Sequence, residues 1–78
     1  MSTALRSGPY RAFFYSEEGD EPPHVHVERG SAVAKFWLCP VRQARNSGFG
    51  EHEITRIRRI LESHEAQLRE AWDAHFGA

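Results

Sequence analysis

Between Tyr10 and Cys39 hydrophobic and polar residues alternate in short bursts, whereas from Glu51 onward apolar positions recur every three or four residues. The first pattern belongs to strands with one buried face and the second to an amphipathic helix. Tyr10–Tyr15 is dense in aromatic strand formers and predicts a first strand. In His24-Val25-His26-Val27-Glu28 the two valines alternate with two histidines and a carboxylate, which predicts a second strand with Val25 and Val27 turned to the core. Pro22 and Pro23 donate no backbone hydrogen bonds, so pairing should begin only after them. Arg29-Gly30-Ser31 predicts a reversal, because Gly30 tolerates the positive φ of a tight hairpin turn. Ala32–Cys39 follows, apolar on both faces except at Lys35, as suits a strand inside a sheet. Pro40 ends it, and Val41–Ala44 is long enough for a short fourth strand.

The helical half carries Ile54, Ile57, Leu61, His64, Leu68, Ala71 and His75 at steps of three and four, widened by Ile60, Trp72 and Phe76. Glu51 and Glu53 suit a helix N-terminus, and Gly77 suits its end. A helix of about 25 residues would run nearly 38 Å, well beyond a six-residue strand. Two arrangements fit: one helix overhanging the sheet, or two nearly collinear helices broken near Ser63, which would cap the second. The expected class is therefore α+β, a three- or four-stranded antiparallel sheet followed by a long C-terminal helix, with that break as the variant. Residues 1–9 are expected to be disordered or loosely ordered, and residues 10–78 to form a single small domain. Its core should hold Val25, Val27, Phe36, Leu38, Ile54, Ile57 and Leu61.

Composition narrows the class without naming a task. The 78 residues suffice for one domain. Cys39 is the only cysteine, so an internal disulfide or a cysteine-rich zinc site is excluded, and it is expected to be a small buried hydrophobe. Met1–Pro9 has no apolar stretch of the signal-peptide kind and no run is long enough to span a bilayer, so a cytoplasmic protein with no membrane partner is expected. Ten basic residues face eleven acidic ones, and that balance does not favour a nucleic-acid partner. Lys35 is the only lysine; a preference for arginine suits bidentate pairing with carboxylates.

Three kinds of chemistry fit these residues. His24, His26 and Glu28 share one face of their predicted strand, a donor set for a divalent transition metal such as zinc, with Asp20 or Glu21 as completing ligands. The same two histidines are candidate acid–base groups for a small hydrolase or ribonuclease. Arg29, Arg42 and Arg45 are then the residues available for a local basic patch. Trp72 and Phe76, four apart on the helix, lie beyond the reach of short strands and are candidate interface residues, toward a second copy or a partner protein. Whether the chain is an enzyme stays open, and no cofactor is required by the residues.

The Pro22-Pro23-His24-Val25-His26 core, the Ala34-Lys35-Phe36-Trp37-Leu38 strand and the ending Leu68–Trp72 with Phe76 resemble a small bacterial domain of unknown function, number 4160 in its series. The resemblance implies a strand-rich front half and a C-terminal helix. It also implies a short bacterial protein of the kind found in two-gene modules of the toxin–antitoxin type, and it brings no activity. The expected function is accordingly an interaction module within such a module, with the His24/His26 face as the alternative, metal-binding or hydrolytic, feature.

Overall fold

The computed structural model describes residues 2–15 and 19–77. Five strands, β1 (Ser2–Ser7), β2 (Tyr10–Phe14), β3 (His24–Arg29), β4 (Ala32–Leu38) and β5 (Val41–Ser47), precede two helices, α1 (Glu51–Ser63) and α2 (Glu65–Phe76). The strands form one antiparallel meander in chain order, β1-β2-β3-β4-β5. Short turns make this order possible. Gly30, at φ 59°, lets Arg29 pair directly with Ala32. Cys39 and Pro40, joined by a cis peptide, reverse the chain between Leu38 and Val41.

The α+β class holds, but the sheet has five strands where three or four were expected. The added strand is β1, inside the segment expected to be loosely ordered. Its Ser, Thr and Arg residues give no apolar alternation; the strand exists because its backbone pairs with β2, from Ser2↔Phe14 to Ser7↔Tyr10. Val41–Ala44 extends to Ser47 as the opposite edge strand, and every residue after Val41 in it is exposed.

One face of the sheet is apolar and carries both helices. Ala12 and Phe14 of β2, Val25 and Val27 of β3, and Ala34, Phe36 and Leu38 of β4 meet Ile57, Leu61, Leu68 and Trp72. Six of the seven expected core residues are fully buried; Ile54 packs at the rim, half-buried. Each buried Leu or Ile contributes on the order of 2 kcal/mol.

Of the two expected arrangements the broken one is found, with two helices meeting at His64 (φ −121°, ψ 19°), next to Ser63. The Ile60 carbonyl would accept the His64 N–H in a continuous helix. It accepts the Ser63 hydroxyl and His64 Nδ1 instead, each at 2.9 Å. The His64 N–H turns to Leu61 O, and α2 restarts with Leu68 N–H donating to His64 O. Ser63 thus closes the first helix rather than capping the second. The break also resets the helical phase, so Trp72 lies inside while His75, expected on the inner stripe, is exposed.

Candidate functional site

Helices cover only one face, so the other face of the sheet is the surface on which chemistry can be displayed. Cross-strand partners in an antiparallel sheet share a face, and the register therefore assigns the open side. Arg6 and Arg11, then Phe13 and His26, Arg11 and Glu28, His26 and Lys35, Lys35 and Arg45, and Trp37 and Arg42 are paired. The predicted alternation on β3 holds for Val25 and Val27, which point to the helices, and for His26 and Glu28, which lie on the opposite side; His24, at the start of the strand, is instead enclosed where α2 reaches the sheet end.

The three expected donors do not act as a group. Glu28 is held by Arg11 at 2.8 Å, and Arg11 also donates to Thr3. His24 is 0% exposed, at the start of β3, where Trp37, His26 and Trp72 pack around its ring at centroid distances of 5.7, 5.3 and 4.9 Å. Its Nδ1 donates to the Pro22 carbonyl at 2.9 Å, which fixes the proton on that nitrogen. Pro22 thus does more than delay pairing: its carbonyl orients the first histidine, while the Pro23 carbonyl accepts from Leu38 N–H. Glu21 lies 4.0 Å from His24 Nδ1 and bonds Lys35 at 2.7 Å. Among the described residues no three of His, Cys, Asp and Glu are gathered as metal ligands.

His26 belongs to an aromatic cluster on the open face. It stacks on Phe13 at 5.6 Å, and Tyr15 meets it edge-on at 4.8 Å. Phe13 is buried beneath this cover, with the Arg11 guanidinium over its ring at 4.8 Å. Tyr15 stays 41% exposed. Lys35 Nζ lies over the Trp37 ring at 4.6 Å. Two shallow grooves flank the outer side of β4. One, of about 230 Å³, is lined by Tyr15, His26, Val33, Lys35 and Arg45. The other, of about 350 Å³, is lined by Pro22, Pro23, Trp37, Cys39 and Arg42.

Charge is divided between the two halves of the fold. The strands carry Arg6, Arg11, Arg29, Lys35, Arg42 and Arg45 against Glu28 alone, while acids outnumber bases in the helices. Arg29 leaves this set for the helix side, so it does not join Arg42 and Arg45 in a patch. Its guanidinium clasps Glu53 through two bonds of 2.7 Å, and Tyr10 donates a third bond to the same carboxylate. The Arg29 hydrogen bond, aided by Tyr10, holds the Glu53 carboxyl below its ordinary range. Arg6, Arg42 and Arg45 make no ion pair among the described residues. Among the described residues five cations thus share the open face with two carboxylates, Glu28 at Arg11 and Glu21 at Lys35, a surplus that the near-neutral total conceals.

Trp72 and Phe76 were expected to overhang the sheet. The break at His64 removes the overhang: Trp72 is 4% exposed within the chain, edge-on to Phe14 at 5.4 Å and 4.2 Å from the Phe76 ring. Phe76 is half-buried and closes over Gly19, where an added Cβ would lie 2.6 Å from its ring. Cys39, expected to be buried, is exposed in the β4–β5 turn. Among the described residues no helix is long and apolar enough to cross a membrane. Tyr15 and Trp37 were missed as site residues; the signal for Trp37 was its period-two spacing from Lys35, and that for Tyr15 its period-two spacing from Phe13. Arg42 and Arg45, expected in a basic patch, do lie on this face, without Arg29.

No curated protein and no solved structure matches the chain. The family described as Domain of unknown function (DUF4160) matches residues 10–73, which span β2 through most of α2. The chain, with its helix-backed antiparallel sheet and one open basic face, belongs to that family.

Proposed function

We propose that this protein is an interaction module that works by association, and that its docking surface is the open face of the sheet. The observation that carries this reading is the segregation of charge: among the described residues Arg6, Arg11, Lys35, Arg42 and Arg45 stand on one face whose acids are Glu28 and Glu21. Cations spread over a face with exposed Tyr15 and Val33 among them suit a partner of opposite charge. Two copies meeting through this face would set like charges against each other, so the partner is a different molecule. A place in a two-gene module of the toxin–antitoxin type, the expectation raised by the family resemblance, is compatible with such a partner. Catalysis is not part of this reading, since His24 is sealed and Glu28 is occupied by Arg11.

Retention on immobilised heparin at a pH above the isoelectric point tests the surface. A chain with an isoelectric point near 6.5 and evenly mixed charges passes through at pH 8. The segregated face retains it, and the double substitution Arg42→Glu with Arg45→Glu releases it. Passage of the wild-type chain at low salt would remove the docking surface.

A further inference from the structure

The open face carries rings as well as cations, and the two are interleaved. Along β4, Lys35 and Trp37 are successive residues of one face, about 6.7 Å apart along the strand. Each has a cation beside it on β5, Arg45 next to Lys35 and Arg42 next to Trp37. The groove at Tyr15 and His26 ends on Lys35 and Arg45; the groove at Trp37 ends on Arg42. An acidic polypeptide would use the cations and leave the rings idle. A polyanion whose monomers each carry a flat ring and a negative charge uses both. Double-stranded nucleic acid keeps its bases stacked and offers only phosphates to such a face, whereas RNA loops and ends present unstacked bases to aromatic side chains.

We infer that the open face of the sheet binds single-stranded RNA, with bases against Tyr15 and Trp37 and phosphates against Arg42, Arg45 and Arg6. This rests on the reading of that face as the docking surface. The near-neutral total charge does not oppose it, because the acids that balance these cations lie on the helices and in the connection ending at Glu21. Glu21 already holds Lys35, and Glu28 holds Arg11, so Arg6, Arg42 and Arg45 are the cations fully available to phosphate. Three phosphate contacts give a slope of about −2 for log affinity against log salt.

The test is fluorescence anisotropy of the whole chain with a labelled single-stranded RNA of roughly ten nucleotides, a length typical of one small binding sheet. The same RNA as a duplex and polyglutamate serve as competitors. The expected result is preference for the single strand over both competitors and a salt slope of about −2. Tyr15→Leu, on an exposed ring outside the strands, should weaken RNA binding about ten-fold and leave the salt slope in place. Trp37→Leu should do the same. Arg42→Glu with Arg45→Glu should abolish binding while the circular dichroism spectrum is unchanged. Duplex RNA or polyglutamate competing as well as the single strand, or Tyr15→Leu and Trp37→Leu binding RNA normally, would overturn the inference. If polyglutamate binds and RNA does not, this inference falls while the association reading stands. If nothing anionic binds, both fall.

Discussion

Replacing Trp72 by alanine separates two views of the C-terminal helix. In the structure its ring is a core element, 4% exposed, in contact with Phe14, His24 and Phe76 from three different segments. Truncating a buried tryptophan costs about 3–5 kcal/mol, transfer and cavity together. Because His24 loses its cover when the indole goes, the upper half of that range is expected. A domain of 78 residues has a total stability of about 4–12 kcal/mol, so this one change removes a large share of it. The corresponding fall in Tm is at least roughly 12 °C, at about 4 °C or more per kcal/mol for a domain of this size. Urea unfolding followed by circular dichroism measures the loss, and Trp37, the other tryptophan, supplies an independent fluorescence signal. Phe76→Ala, at a half-buried position, should cost about 1–2 kcal/mol. Neither change should alter the sedimentation coefficient of the folded chain. A loss below about 1 kcal/mol for Trp72→Ala, or a shift from dimer to monomer, would refute the core assignment and return both rings to an interface.

Gly19→Ala should displace the Phe76 ring, since the new Cβ would lie 2.6 Å from it; a destabilisation of about 1–3 kcal/mol that shrinks in a Phe76→Leu background checks this in a double-mutant cycle. Glu53 is held by Arg29, so its folded pKa lies below the ordinary 4.5, and its contribution is present above that value and lost as pH falls through the folded one. Melting curves of wild type and Glu53→Gln should therefore differ at neutral pH and converge only in acid below the ordinary value; a gap that acid leaves unchanged contradicts the latch. Added zinc should leave the wild-type Tm unchanged, because Glu28 is tied to Arg11 and His24 is enclosed. A rise in Tm that His24→Ala with His26→Ala abolishes would restore the metal reading.

The sequence by itself determined the strands with internal alternation or continuous apolar runs, their turns, and the helical half. Val25, Val27, Phe36 and Leu38 announce a buried face because period-two burial is a local property of the chain. Ile57 and Leu61 do the same at helical spacing. Strand β1 was hidden because its stability comes from a neighbour's backbone, to which side-chain patterning is blind; Gly8-Pro9, a turn signal before Tyr10, was the clue. The break at His64 depends on two side chains competing for one carbonyl, and it decided that Trp72 would be core. Placement of charge was likewise tertiary. Ten basic and eleven acidic residues read as balance along the chain, but pairing β3, β4 and β5 in register gathers cations on one face. Arg29, one position further along β3 than Glu28, crosses to the other side and becomes part of the scaffold. Electrostatic attraction acts through space over a few ångströms, and only the folded sheet sets which charges are that close.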